Sequence, residues 1–163
     1  MPKYLLLLFS LLLYSTQSLA ENPVHIKIGV LSHRGDTATA INWGDTAKHL
    51  SRKLPNYLFK IVPLDFDEIE SKIENAEIHF LLVNPSIYVV MEVRHRIRRI
   101  ATLSRVVNED YQNQFAGVLF TTRNRQDIKN LQDLKGKHLS AVDPKSLGGF
   151  QMVIRELTDQ GID

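Results

Sequence analysis

The spacing of apolar residues changes repeatedly along the chain between the two-residue period of strands and the 3.6-residue period of helices. Strands are predicted over residues 24–31, 57–64, 79–83, 99–107, 115–122 and 138–142. Helices are predicted over 37–54, after Asp65, after Asn84-Pro85, over 127–137 and from 146 to 161. Strands that alternate with helices in this way predict an α/β fold with a mostly parallel sheet.

Two helix starts carry specific capping predictions. Asp65 is followed three residues later by Glu68, which matches a capping box. Ser86 follows Asn84-Pro85 and is predicted to cap the next helix.

The first twenty residues predict a segment that is separate from the folded domain. Lys3 precedes the apolar run "YLLLLFSLLLY", and "SLA" at 18–20 supplies the small residues that a signal peptidase recognises. A membrane-spanning helix needs about 20 apolar residues, so this run is too short to anchor the chain. We therefore expect a periplasmic domain released by cleavage after Ala20; an uncleaved N-terminal anchor is the alternative.

Composition and charge narrow the range of functions. The chain has no cysteine, so its stability must come from an ordinary core. A net charge of +2 does not indicate nucleic acid, and the basic run "RHRIRR" at 94–99 suits the C-terminal end of a helix. The six histidines are scattered, so the sequence predicts neither a metal site nor a cofactor. An enzyme would need a base beside a nucleophile, and no such motif is present.

Polar loops follow three of the predicted strands and lead into helices. They are "SHRGDT" from Ser32, "NPSIY" from Asn84 and "DPKSLGG" from Asp143. In open α/β sheets, ligands bind beyond the carboxyl ends of the strands, so these loops form the candidate site. The candidate ligand-binding residues are Ser32, His33, Arg34, Asn84, Ser86, Tyr88, Asp143, Ser146, Leu147, Gly148 and Gly149.

The chemistry of these loops favours an anion but leaves alternatives open. Ser146 and the backbone N–H groups of 147–149 could hold an oxyanion, since a helix start attracts negative charge and glycine admits close approach. The alternative is that Ser146 only caps the helix and the glycines only allow close packing. Arg34 suits a planar or tetrahedral oxyanion but equally suits a solvated loop. Ser86 and Tyr88 are likewise either ligand contacts or a helix cap and a core residue.

Seven segments, in order along the mature chain, resemble one family. They are "IKIGVL", "VPLDFDEI", "FLLVNPSIYV", "RIATLSR", "FAGVLFT", "DLKGKHLSAVDPKSLGGFQ" and "ELTDQGID". Together they resemble the type 2 periplasmic binding proteins of the phosphate, phosphite and phosphonate group. The likeness is greatest to the periplasmic sensing domains of membrane sensor histidine kinases, such as tetrathionate sensors.

The resemblance implies two α/β lobes that capture a small anionic solute between them, without catalysis. Lobe 1 would span residues 24–113, and lobe 2 would begin at Gln114 and be incomplete at Asp163; a complete minimal domain is the alternative. The implied partner is either an ABC permease or the chain's own downstream membrane helix and kinase. The membrane would be reached only through the signal peptide or the missing C-terminal part. Phosphonate binders present several hydroxyls where this chain has Ser146 beside Lys145, which departs from the family pattern.

Overall fold

A computed structural model describes residues 22–162, so the predicted signal peptide lies outside the described residues. The elements in chain order are strand β1 (Val24–Leu31), helix α1 (Asp36–Lys53), strand β2 (Tyr57–Leu64), helix α2 (Glu68–Glu74), strand β3 (Phe80–Leu82), helix α3 (Pro85–His95), strands β4 (Arg105–Val107) and β5 (Asp110–Gln112), a 3-10 helix (Leu131–Leu134), a π-helical turn (Leu147–Gln151) and helix α4 (Met152–Asp159).

The N-terminal half forms a parallel sheet with strand order β2-β1-β3. In its register, Ile28 on the central strand lies between Ile61 of β2 and Phe80 of β3. Parallel neighbours need crossover connections, which α1 and α2 supply. The prediction of an α/β fold with a mostly parallel sheet is confirmed.

One core joins this sheet to helices α2 and α3. Leu64 at the end of β2 and Ile69 on α2 are each only 1% exposed, and Leu31, Ile87 and Met91 complete the cluster. The sheet therefore packs its carboxyl end against the two helices that follow β2 and β3. This packing fixes the positions of the loops between them.

A smaller apolar cluster lies in the C-terminal part. Leu134 of the 3-10 helix packs with Leu157 of α4 and with Ile162, and Ile128, Leu131 and Val153 surround them. Helix α4 ends before Gly161, whose φ of +68° is a left-handed conformation that favours glycine. This cluster holds α4, and with it the turn that precedes α4.

The strand predictions after residue 98 are largely wrong. Only Arg105–Val107 of the predicted strand at 99–107 is extended, and it pairs antiparallel with β5. The segments 115–122 and 138–142 are not strands, because no strand within residues 22–162 lies beside them. Their apolar side chains stay in solvent: Val118 is 75% exposed and Phe120 is 87% exposed. The helix predicted over 127–137 is reduced to the short 3-10 helix.

The two capping predictions have different outcomes. A carboxylate oxygen of Asp65 accepts from the amides of Asp67 and Glu68, while Glu68 accepts from the amide of Asp65, so the predicted reciprocal pair is confirmed. The prediction that Ser86 caps α3 is wrong, because Asn84 occupies that place. Pro85 then takes the first helical position, where its missing N–H costs nothing.

Candidate functional site

The candidate loops gather at one edge of the sheet. Since β1, β2 and β3 are parallel, the loops that follow them leave from the same edge. The amide of Ser32 donates to the carbonyl oxygen of Leu64 at 2.7 Å, which fastens the loop after β1 to the end of β2. The loop that precedes α4 reaches the same edge through the contacts described next.

Asn84 connects two of these loops with the two ends of its amide. Its side-chain oxygen accepts from the Ile87 amide at 3.1 Å and so caps α3. Its side-chain nitrogen donates to the carbonyl oxygen of Lys145, 61 residues away, at 3.5 Å. The structure thus brings the loop after β3 against the loop at 143–149, although residues 138–142 do not form the strand predicted before that loop.

Ser86 and Tyr88 lie within the first turn of α3, and both are half-buried. The hydroxyl of Tyr88 donates to the carboxylate of Glu92, one turn further along the same helix. This hydrogen bond raises the pKa of the Tyr88 hydroxyl. The Tyr88 hydroxyl is thus directed along its own helix, while Ser86 makes no side-chain hydrogen bond to another residue in 22–162.

The loop at 143–149 is ordered by its own polar groups. A carboxylate oxygen of Asp143 accepts from the Lys145 amide at 2.7 Å, and the Asp143 carbonyl accepts from the Ser146 amide at 2.9 Å. The Ser146 hydroxyl then accepts from the Gly149 amide at 3.2 Å, which makes Ser146 the predicted cap. Within residues 22–162 no acceptor pairs with the amides of Leu147 and Gly148, as is usual for the first N–H groups of a helix.

The absence of side chains at Gly148 and Gly149 serves packing. A methyl group built on Gly148 would lie 2.9 Å from the ring of Phe115, and one on Gly149 would lie 2.8 Å from the Ser146 hydroxyl oxygen. Both distances are too short for a carbon atom. The packing explanation for these glycines therefore has direct support. It does not exclude anion binding, because the unpaired N–H groups lie at Leu147 and Gly148.

Leu147 lines an apolar groove beside this turn. The groove has a volume of about 410 Å³, and its walls include Phe115, Gly148, Val153 and Leu157. Leu147 thus contributes an apolar wall, and its part in the candidate site is its backbone N–H.

Ser32, His33 and Arg34 follow β1 and do not join the other loops by hydrogen bonds. His33 and Arg34 are exposed, and no ion pair or side-chain hydrogen bond links either of them to another residue between 22 and 162. Both residues lie at the edge of the sheet where the sequence placed them, but no ion pair or side-chain hydrogen bond to residues 22–162 fixes the orientation of their side chains.

Lys145 is a site residue that the sequence did not single out. Its ammonium group donates to a carboxylate oxygen of Asp67 at 2.7 Å and to the carbonyl oxygen of Phe66 at 3.1 Å. The nearby Asp67 carboxylate raises the pKa of Lys145. Its place between Asp143 and Ser146 was visible in the sequence, but its partner 78 residues earlier was not.

The basic run at 94–99 begins with an ion-pair network that ties α3 to α2. Arg94 donates to both carboxylate oxygens of Glu70 at 3.1 Å, and His95 lies 3.0 Å from one of them. These neighbours lower the pKa of Glu70. Potential ligand atoms of Glu70, Glu74 and His95 lie within 4.8 Å of one another, a grouping across two helices that spacing could not reveal. Arg94 already satisfies both oxygens of Glu70, so the group is a closed network.

Within the described part of the chain, no helix has the length and apolar character needed to cross a membrane.

A parallel α/β sheet with polar loops at its carboxyl edge, met there by the start of a further helix, is the arrangement of a solute-binding lobe of the periplasmic type. Residues 28–163 match the family of periplasmic substrate-binding proteins of phosphonate ABC transporters. The chain belongs to this family, whose members bind solutes in the periplasm.

The chain is also similar to the tetrathionate sensor histidine kinase TtrS of Salmonella typhimurium. The two are 30% identical over 135 residues, which is 83% of this chain and 23% of the relative. The chain therefore spans about a quarter of the length of that kinase. No solved structure matches the chain.

Proposed function

We propose that this chain captures a small anionic solute between two lobes and serves as the sensory input of a histidine kinase. The observation that carries this proposal is the meeting of the loops after β2 and β3 with the loop at 143–149, through Lys145 and Asn84. Two unpaired N–H groups lie at the start of the following helix, where the helix dipole favours negative charge. The likeness to a tetrathionate sensor supports the sensory role.

The proposed capture brings donors from both sides to one solute. The first lobe offers the hydroxyls of Ser32 and Ser86, the ring of Tyr88, the amide of Asn84, the imidazole of His33 and the guanidinium of Arg34. The second offers Ser146 and the amides at 147 and 148, in a turn that Asp143 and the glycines shape. A solute that contacts both sides stabilises the closed form, as in other hinge-closing proteins.

The proposed division of the chain is a first lobe over 24–113 and the start of a second lobe over 114–163. The exposed apolar side chains of Val118 and Phe120 and the groove beside Leu147 support further strands packing there. We also propose cleavage after Ala20 and a periplasmic location. A transporter role, in which an ABC permease takes the solute, is the second candidate because the matching family is named for it.

The test is solute-induced thermal stabilisation of the purified chain by tetrathionate, thiosulfate, sulfate, phosphate and methylphosphonate. At least one anion is expected to raise the melting temperature of the wild-type chain saturably. Ser146→Ala is expected to reduce that shift, whereas Ser71→Ala, which removes an exposed hydroxyl on α2, is the matched control. Gly148 is unsuitable for this test, because any side chain there meets Phe115. Wild-type chain that is stabilised by none of these anions would refute the proposal.

A further inference from the structure

The ion pair between Lys145 and Asp67 joins the loop at 143–149 to the start of α2. Both side chains face solvent, with 51% of Lys145 and 89% of Asp67 exposed. The ammonium group has three N–H donors, of which the carboxylate of Asp67 and the carbonyl oxygen of Phe66 take two. This ammonium belongs to the residue next to Ser146, in the loop that we propose binds the anion.

The carboxylate of Asp67 has no other partner within residues 22–162. The start of α2 is capped by Asp65, so the helix does not need the Asp67 side chain. A separate contact reaches the loop at 143–149 from the loop after β3, because the Asn84 side chain donates to the carbonyl oxygen of Lys145 at 3.5 Å. The contact with the start of α2 runs through the Lys145 ammonium, which Asp67 and Phe66 share.

We propose that Asp67 is an internal competitor for the solute: its carboxylate holds Lys145 when no solute is bound and releases it to an incoming anion. This inference rests on the proposed function and adds regulation of the same site. A carboxylate is the chemical equivalent of an anionic solute oxygen, and both prefer the same ammonium donor. An exposed ion pair is weak, so a solute that also binds the amides at 147 and 148 can displace it.

The competition predicts opposite effects for the two partners of one ion pair. Asp67→Asn removes the competitor and is expected to tighten anion binding by about 1.5- to 5-fold, the range that corresponds to an exposed pair. Lys145→Met removes the shared cation and is expected to weaken binding. If the ion pair only held the loop at 143–149 against the start of α2, both substitutions would weaken binding, because either one breaks the same contact.

The test measures the dissociation constants of tetrathionate and methylphosphonate by calorimetry on the purified chain. Asp45→Asn is the matched control, since it removes another exposed carboxylate from an ion pair on α1 and is expected to leave the constants unchanged. Asp67→Glu keeps the charge and is expected to stay near the wild-type constant. In a Lys145→Met background, Asp67→Asn is expected to give no tightening, which separates competition for Lys145 from general charge repulsion.

The outcomes separate the two proposals. If the wild-type chain binds an anion and Asp67→Asn weakens binding or leaves it unchanged, the competition is refuted and the proposed function stands. If Asp67→Asn tightens binding equally with and without Lys145, the competition is also refuted. If neither anion binds the wild-type chain, both proposals fail for these solutes. Urea unfolding of each variant checks that the chain remains folded.

Discussion

Replacing Gly29 with alanine tests how closely the central strand packs against its neighbours. Gly29 lies on β1, three residues before Ser32 and the first candidate loop. A methyl group there would lie 2.7 Å from Cδ1 of Leu64 and 2.9 Å from Cδ1 of Ile78. Leu64 is only 1% exposed, so it has little free space into which it can move.

The expected magnitude combines two opposing effects. Inserting a carbon atom into a packed core costs about 1–3 kcal/mol. Glycine loses more backbone freedom on folding than alanine, which returns about 0.5–1 kcal/mol. The net result is a destabilisation of about 0–2.5 kcal/mol, and the upper part of this range is expected because Leu64 has little room to move. For a chain of this size the upper limit corresponds to a fall in melting temperature of about 10 °C.

The matched control is the same substitution at Gly44, inside α1. A methyl group at Gly44 meets no atom within 4 Å. Gly44→Ala is therefore expected to stabilise the chain by about 0.5–1 kcal/mol, because alanine is the better helix former. Opposite signs at the two glycines are the prediction.

The assay is urea unfolding followed by circular dichroism at 222 nm, with thermal melts as a second measurement. Comparing midpoints at equal slope isolates the change in the free energy of unfolding. If Gly29→Ala is neutral or stabilising while Gly44→Ala behaves as expected, the close packing of β1 against Leu64 and Ile78 is wrong.

Two further predictions concern the helices next to the site. Asn84→Ala should destabilise the chain by about 1 kcal/mol through loss of the α3 cap, whereas Asn84→Asp keeps a capping oxygen and should cost less in urea unfolding; equal losses would contradict the capping role. Glu70 has a lowered pKa, so its contribution to stability is present above its ordinary value of 4.5 and is lost as pH falls through the folded-state value. Glu70→Gln should therefore flatten the acid side of the stability profile below pH 4.5, and an unchanged profile would contradict this.

Local patterns were sufficient for the N-terminal half of the fold. The alternation over 24–31 and 57–64 and the helical spacing over 37–54 agree with β1, β2 and α1, because the partners of these elements lie within the described residues. The segments 115–122 and 138–142 have equally apolar sequences, but a strand exists only beside a hydrogen-bonding neighbour. Within the described residues that neighbour is absent, and sequence periodicity does not report it.

The sequence pointed to three loops as the candidate site but did not predict the contacts between them. Strand-end reasoning applies to the loops at Ser32 and Asn84, which follow parallel strands. It does not explain the location of the loop at Asp143, because residues 138–142 do not form the predicted strand. The pairing of Lys145 with Asp67 depends on side chains separated by 78 residues, which no local pattern encodes. Ser86 was chosen as a cap because serine favours that position, but Pro85 begins the helix two residues earlier than that choice implies and leaves the cap to Asn84.

The two-ended amide of Asn84 has a consequence for how the chain deforms. The side-chain oxygen accepts from the Ile87 amide of α3, and the side-chain nitrogen donates to the Lys145 carbonyl oxygen of the opposite loop through a longer and weaker bond. A displacement that separates the two loops breaks the nitrogen's bond and leaves the oxygen's bond intact. The first turn of α3 therefore keeps its cap when the contact between the two loops is lost.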